Sequence, residues 1–444
     1  MQASPTADPR ELRRVLWSSY FGTLIEFYDF LLYTAAASLV FAHLFFSDLP
    51  PLAGTIASLG TLAVGYVARP LGAFIFGQMG DRLGRRVTLA TTMTIMGVAT
   101  TCIGLLPTAQ QVGTWAAVLL VALRVVQGIA VGGEWGGVVV MAYEHAQEGR
   151  RGIAASVVNA GTGSGTLLAA AMLALFSLLP DDQFNSWGWR IPFLLSAVLI
   201  AIGLWIRLRV TESPLFLEEK ERREADPDTA QRPLQAVFAN PGALLTALLF
   251  GIAPLAFNAL VNSFGLVWAK DEGGLGQSSV LLAQCVGAVV NVGLSLPFGR
   301  LSDRIGRRPI IAAGLVGAAV FSYPFLLIIK SGSLALTVLA YAVISVFISA
   351  VFAPLPALLS DMFGTAGRYT GASLSYQVAA TLAGGFGPLV YSAMLADSGG
   401  HDMASVALLV CGVTALGAIM TFASGPRRDR APRKETSPSP AASL

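Results

Sequence analysis

The chain of 444 residues is 54% hydrophobic and only 12% charged, whereas soluble domains carry about a quarter charged residues, so a soluble enzyme or binding module is excluded. The net charge of +3 is spread over many short loops rather than gathered in a patch, which speaks against nucleic acid as a partner. Cys102, Cys285 and Cys411 each stand alone in an apolar run with no CxxC spacing, so no disulfide framework, metal site or other cofactor is expected.

In chain order, stretches apolar and long enough to cross a ~30 Å hydrocarbon core as helices are predicted at 16–42, 53–79, 87–107, 115–143, 152–179, 189–210, 242–268, 279–299, 309–329, 334–360, 370–396 and 404–424. The first is too long and too polar for the apolar region of a signal peptide, so residues 1–15 read as a retained tail. Twelve spans put both termini on one side. Of the 29 Lys and Arg residues, 24 fall in the tails and in the loops of that side, while Arg190, Lys270 and Lys330 lie opposite and Arg69 and Arg124 fall inside helices. By the positive-inside rule both termini are cytoplasmic, as in a multi-pass inner-membrane protein. The stretch 211–240, rich in Glu, Arg, Asp and Pro, reads as a non-helical linker between six-helix bundles at 16–210 and 241–424. Residues 425–444 read as a disordered basic tail. The expected fold class is an all-α polytopic membrane protein.

The two bundles repeat one another. Gly77-Gln-Met-Gly-Asp81-Arg82-Leu-Gly84-Arg85-Arg86 follows the second predicted helix, and Gly299-Arg-Leu-Ser-Asp303-Arg304-Ile-Gly306-Arg307-Arg308 follows the eighth. Glu144, Arg151 and Ser156 after the fourth helix are matched in spacing by Asp361, Arg368 and Ser373 after the tenth. Parallel repeats imply two bundles related by an axis along the membrane normal, with a site between them near mid-depth.

The GxxxDRxGRR pattern resembles the major facilitator superfamily, over nearly the whole chain. Glu26-Phe-Tyr-Asp29, Arg69-Pro70-Leu-Gly72, Arg124-Val-Val-Gln127-Gly128 through Glu134, Trp189-Arg190-Ile-Pro192-Phe193 and Glu212-Ser213-Pro214 narrow it to the metabolite:proton symporter family. That family carries shikimate, α-ketoglutarate, citrate, proline and betaine. The resemblance implies twelve helices, alternating access, and a cytoplasmic gate that latches the outward-facing state. Its expected members are Asp81, Arg82, Arg85 and Arg86 with Glu144 and Arg151, and Asp303, Arg304, Arg307 and Arg308 with Asp361 and Arg368. A loop carboxylate beside arginines can also pair with a guanidinium or face a helix N-terminus. Positive-inside orientation alone would not require the repeated Asp and Gly.

Glu26, Asp29, Arg69, Arg124 and Glu134 fall well inside predicted helices of the first half. A charge at mid-membrane costs about 2.5–3.5 kcal/mol on insertion scales unless it faces a polar interior, so these five are expected to share one cavity. Glu26 and Asp29, three residues apart with Gly22 and Tyr33 extending the stripe, are expected on one helix face. Neighbouring carboxylates resist joint ionisation, which suits proton coupling. Asp29 is preferred for that role, with Glu26 equally open and Glu134 a further candidate. With all five ionised the net charge is negative by one, and one proton neutralises it. A carboxylate-bearing substrate is then expected at Arg124, Arg69 or both, guanidinium being always charged and bidentate. Tyr33, on that stripe, and Trp135 are further candidates for substrate contact, Trp135 as an aromatic wall, although core packing is its more expected role.

The second half offers neutral polar candidates for substrate contact: Asn258, Asn262, Gln284, Tyr323 and Gln377. Gly161-Thr-Gly163-Ser-Gly165 has no following Lys and no preceding strand, so it reads as a helix-packing stripe rather than a phosphate loop. His43, His145 and His401 are expected at surfaces or boundaries. No catalytic triad, Walker sequence or zinc motif supports an enzyme or an ATP-driven pump. The expected partners are a small-molecule substrate, protons and the lipid bilayer, with the chain acting as a monomer. Proton symport of an organic acid is the leading reading, with a zwitterionic osmolyte as an alternative and an export antiporter as an alternative of another class.

Overall fold

The computed structural model describes residues 9–147, 149–176, 178–225, 233–397 and 403–423; the predicted basic tail, the middle of the linker and His401 lie outside the described residues. All regular structure among them is helical. The long helices are α1 Pro9–Leu39, α2 Pro51–Leu83, α3 Arg85–Leu105, α4 Trp115–His145, α5 Arg151–Phe176 and α6 Arg190–Arg207. The second set begins with α7, Pro241–Ala259, which continues through a π-helical turn at Leu260–Phe264 into Gly265–Asp271. Then come α8 Gln277–Ile305, α9 Arg307–Lys330 and α10 Leu334–Phe352, the last broken at Ala353-Pro354 before Leu355–Ser360. Helix α11, Arg368–Ala379, passes through a second π turn at Ala380–Gly385 into Gly387–Asp397, and α12 is Met403–Ala423. Among the described residues, 11 helices, α2 to α12, are long and apolar enough to cross a membrane. The twelfth, α1, is 31 residues long and carries Glu26 and Asp29.

The helices pack as two bundles with the same internal scheme. In the first, α1 lies along α5, α2 along α4, and α3 between α4 and α6; in the second, α7 lies along α11, α8 along α10, and α9 between α10 and α12. The bundles meet along α5 and α8 and along α2 and α11. Small residues allow the close crossings. A Cβ at Gly72 would stand 1.8 Å from the Ile129 carbonyl oxygen, and one at Gly132 would stand 2.0 Å from that of Arg69, so the α2 and α4 backbones touch. Gly161 and Gly165 face α1 while Gly163 faces Asn291 and Val292 of α8, so that stripe packs on two helices. Outward faces are apolar and exposed, including Val67 and Leu71 on α2, Val320 on α9 and Leu408 and Ile419 on α12, as a lipid-facing surface requires.

The repeated loops are single-residue turns. Gly84 alone separates α2 from α3, and Gly306 separates α8 from α9, with φ of 112° and 97°, values that residues with a Cβ rarely adopt. Both turns lie at the same end of the bundles, the motif end.

Two expectations about boundaries are corrected. Helix α1 starts at Pro9 rather than 16, because Pro at the N-terminus and Glu11 in the first turn favour helix before the membrane is reached. The linker is not wholly non-helical: Pro214–Ala225 and Pro233–Phe238 are helices, the first supported by a Lys220–Glu224 pair one turn apart. His145, expected at a surface or boundary, is the last residue of α4 and is 3% exposed, with its Nδ1 at 3.0 Å from the Met141 carbonyl.

Candidate functional site

The carboxylates of α1 do not share a face. At 3.6 residues per turn, positions three apart diverge by about 60°, and here the neighbours turn that angle into two environments. Asp29 points between α3 and α6, where the hydroxyls of Ser196 (2.6 Å) and Thr100 (3.0 Å) donate to its two oxygens. Glu26 faces α4, α6 and α2, whose charges at Glu134, Arg69 and Arg207 act on it. Its Oε2 has no hydrogen-bond partner among the described residues.

Arg207 is a sixth buried charge that the reading of the sequence missed. It closes α6 and falls among the 24 cations assigned to the tails and loops of one side, yet it is 2% exposed. Its Nη1 donates to Glu134 Oε1 at 3.1 Å and to the Leu89 carbonyl at 2.9 Å. With three carboxylates and three guanidiniums, the fully ionised cluster is neutral, and one bound proton makes it positive, which revises the expected balance.

Arg69 and Arg124 are paired with ring faces rather than with carboxylates. The Arg69 guanidinium lies 4.6 Å from the Phe30 centroid and 4.2 Å from that of Tyr66; Arg124 lies 4.1 Å from Tyr33 and 5.4 Å from Phe30. Arg124 Nη1 donates to Gln127 Oε1 at 3.2 Å, and Gln127 Nε2 donates to Thr100 Oγ1 at 2.7 Å. Since Thr100 donates to Asp29, a hydrogen-bonded chain joins Asp29 to Arg124 through two neutral side chains. The Nε of Arg124 has no partner among the described residues. Tyr33 is tied to Thr61 at 2.7 Å.

Trp135 stacks on Tyr376 of the other bundle, centroids 3.5 Å apart and planes 7° apart. Gln377, beside Tyr376, is 1% exposed and donates to the Val131 carbonyl at 3.4 Å. Asn262 lies in the α7 π turn and accepts from Gln284 at 3.2 Å, while Asn258 is half-buried one turn earlier. Tyr323 is corrected: it is 45% exposed on the outer face of α9, away from the bundle interface, because its helical phase places Ser322 inward and Tyr323 outward.

At the motif end the two halves are joined by contacts that follow the internal repeat. Asp81 accepts from the Thr370 amide (2.9 Å), the Thr370 hydroxyl (2.8 Å) and the Tyr369 amide (3.4 Å), at the N-terminus of α11. Asp303 accepts from the Gly152 and Ile153 amides (2.7 and 3.0 Å), at the N-terminus of α5. Each repeated aspartate therefore caps a helix of the opposite bundle, where helix dipole and orphan amides favour an anion. Arg85, 1% exposed, pairs within its own half with Asp81 (3.2 Å) and Glu144 (3.3 Å). Arg307 likewise pairs with Asp361 of its own half. Glu144 crosses to Arg368 at 3.0 Å, and Tyr143 bonds Asp361 across the interface. Arg151 lies over the Tyr143 ring at 4.3 Å and donates to its hydroxyl at 2.9 Å.

The other arginines of the expected gate differ in their surroundings. Arg82 and Arg304 are exposed, one helix step beyond the inward-facing aspartates. Arg86 bonds the Leu208 carbonyl in its own half, and Arg308 is half-buried. Glu212 supplies a cap that the quoted motif did not explain: its carboxylate accepts from the Arg85 and Arg86 amides at 3.0 and 3.1 Å. Ser213 bonds Glu144, and Phe216 lies under the Arg85 guanidinium at 4.7 Å.

The Major Facilitator Superfamily model matches residues 19–375 and 274–443. The chain belongs to that superfamily. Among relatives of this superfamily member, the shikimate transporter of Escherichia coli is 36% identical, over 92% of this chain and 94% of its own. The inner membrane metabolite transport protein YhjE of the same organism is 36% identical over 92% of this chain and 93% of its own. The ectoine/proline transporter ProP of Corynebacterium glutamicum is 31% identical over 88% and 80%. The solved structure of the proton:xylose symporter XylE matches the fold at a TM-score of 0.77 and 17% identity, covering 93% of this chain and 96% of that one.

Proposed function

We propose that this superfamily member is a proton-coupled symporter that takes up a small organic acid by alternating access between its two bundles. The observation that carries the reading is the chain from Asp29 through Thr100 and Gln127 to Arg124. Asp29 is 1% exposed, and its bonded partners among the described residues are two hydroxyls rather than a cation. Hydroxyls can donate to a carboxylate or accept from a carboxylic acid, so Asp29 exchanges a proton without breaking an ion pair. When it does, Thr100 accepts from the Asp29 carboxylic acid and gives its own proton to the Met96 carbonyl at 2.9 Å, so that Gln127, which donates to Thr100, and with it Arg124 are re-aimed. Protonation of Asp29 raises the net charge of the cluster by one, which favours a carboxylate at Arg124.

Relatives named for shikimate and for proline or ectoine leave an acid and a zwitterion as the choices. The acid is favoured because guanidiniums already cover the rings of Phe30, Tyr33 and Tyr66, where the cationic end of a zwitterion would need open ring faces. The bias of Lys and Arg supports an inner-membrane orientation with the motif end and both termini in the cytoplasm. The latched arrangement is then the outward-facing one, and a single chain acts as the transport unit.

The test is a proteoliposome uptake panel of monocarboxylates, dicarboxylates, aromatic acids and betaines under an imposed pH gradient. Saturable accumulation of an acid that a protonophore abolishes is expected, with Asp29→Asn retaining exchange but losing accumulation. If uptake of every compound ignores the proton gradient, symport is refuted. Accumulation driven only by the reversed gradient would mark an export antiporter instead.

A further inference from the structure

The proton-coupling reading leaves Glu26, Glu134 and Arg207 unused. Both carboxylates are buried, at 4% and 0% exposure, and among the described residues Arg207 alone forms an ion pair with either of them. Arg207 gives Nη1 to Glu134, while its Nη2 lies 2.1 Å from where a Cβ of Gly22 would be. Gly22 is one turn before Glu26 on the same face of α1. The guanidinium is thus wedged between Glu134 and the turn of α1 that bears Glu26, with Nη2 and Nε unpartnered among the described residues. The remaining Oε2 of each glutamate is likewise unpartnered there. The other charged or titratable groups facing the cluster are Arg69 from α2, Asp29 from α1, and Tyr369 and Tyr376 from α11. Arg69 is held on the Phe30 and Tyr66 rings and Asp29 by its hydroxyls.

We propose that Glu26 and Glu134 share one dissociable proton at a second site distinct from Asp29, and that Arg207 is the positioning residue that decides which of them holds it. One guanidinium satisfies one buried carboxylate; the second must be protonated or bear an uncompensated charge, which a medium of low dielectric strongly disfavours. Here Arg207 is on Glu134 and the proton is on Glu26. Gly22 leaves the space for the guanidinium to move toward Glu26, passing the proton to Glu134. No bond other than O–H is made or broken.

The inference extends the symport reading, but its test needs no substrate. Infrared difference spectroscopy of the full-length protein in lipid, across a pH range, reads the C=O stretch of protonated buried carboxyls directly. Asp29→Asn is expected to remove one band and leave the glutamate band. Glu26→Gln and Glu134→Gln are each expected to abolish the glutamate band, because the remaining carboxylate then owns Arg207. Arg207→Gln is expected to double the band, and Arg207→Lys to restore it to one proton. Should Arg207→Gln fail to fold, Glu134→Gln/Arg207→Gln removes both partners and is expected to keep a one-proton band on Glu26. A glutamate band that survives Glu134→Gln at full amplitude, or that is the same in Arg207→Gln or Arg207→Lys/Glu26→Gln as in wild type, overturns the sharing. Loss of proton-driven uptake in wild type would refute symport while leaving these bands to be judged alone.

Discussion

Removing the Asp81 carboxylate should open the motif end by an amount that its bonds allow to be worked out. Asp81 takes two well-formed bonds from Thr370, at 2.9 and 2.8 Å, and a longer one from the Tyr369 amide at 3.4 Å. Hydrogen bonds to a charged acceptor contribute about 1.5 kcal/mol each at the low end, so the two short bonds bias the latched state by about 3 kcal/mol. At ~1.4 kcal/mol per tenfold, Asp81→Ala should raise the unlatched population roughly a hundredfold. Arg85 keeps Glu144, the Gly80 carbonyl and the Thr365 carbonyl as partners, so the loss should act on the latch rather than on folding. A cysteine at Ser373, which is fully buried between α11 and α4, reports the opening when Cys102, Cys285 and Cys411 are replaced. Its alkylation by a membrane-impermeant maleimide from the motif side should rise by about that factor at low occupancy of the open state. Asp303→Ala, which loses two amide donors to α5, should produce an effect of the same order. Unchanged labelling in Asp81→Ala would refute the account of the loop as a cap on the opposite bundle.

Four other outcomes follow from the same geometry. Arg124→Gln should raise KM for an acid substrate by ten- to a hundredfold, the range of a lost charge-assisted bond, while leaving the corresponding amide unaffected; uptake kinetics on the two compounds check this, and Arg124→Lys should rescue poorly because the Gln127 bond and the ring stacking suit a planar group. Thr100→Val should leave Asp29 bonded to Ser196 but cut its connection to Gln127, so counterflow should persist while the ratio of accumulation to imposed pH gradient falls. Gly72→Val should destabilise the protein by more than about 3 kcal/mol, since the α2 and α4 backbones cannot separate locally, whereas Gly412→Ala, with nothing within 4 Å, should be neutral; thermal unfolding of the two compares them. For Glu11, partial burial works against the carboxylate, but bonds from the Thr211 amide and hydroxyl at 2.8 and 2.7 Å, with Arg14 beside it, hold its pKa below the usual carboxylate range. That clamp between α1 and the start of the linker is present at neutral pH and is lost as pH falls through the lowered value, which faster amide exchange at Thr211 would register.

Helix number and the internal repeat were legible because hydrophobic length and single-residue punctuation are local properties. Gly84 and Gly306 can be read from a pattern, since a left-handed turn needs glycine wherever it occurs. What each repeated aspartate binds was legible in kind, a guanidinium or a helix N-terminus, but which N-terminus was not, because those that Asp81 and Asp303 cap lie 289 and 151 residues away in the chain. Arg207 was misplaced for a related reason: a cation at the end of a helix reads as an interfacial anchor, and only the arrival of α4 with Glu134 and the notch at Gly22 make it interior. Glu26 and Asp29 were read as a pair from their spacing, but a difference of about 60° in phase suffices for Thr100 and Ser196 to claim one of them. Tyr323 failed by one position, where a polar aromatic beside a buried serine turned outward.

The charge cluster and the latch are not separate devices, because Tyr369 belongs to both. Its amide is one of the donors to Asp81, its hydroxyl donates to the Gly133 carbonyl at 2.6 Å, and its ring fills the space left by Gly80 and Gly137. Gly133 precedes Glu134, so the backbone that carries the Arg207 partner is bonded to the residue that docks α11 onto α2. A shift of α4 by even a fraction of an ångström, as a redistribution of charge between Glu134 and Glu26 would favour, meets a fully buried tyrosine that has no slack to absorb it. The second bundle therefore needs no buried ions of its own to respond to a proton. It supplies a rigid aromatic contact, and the first bundle supplies the charge.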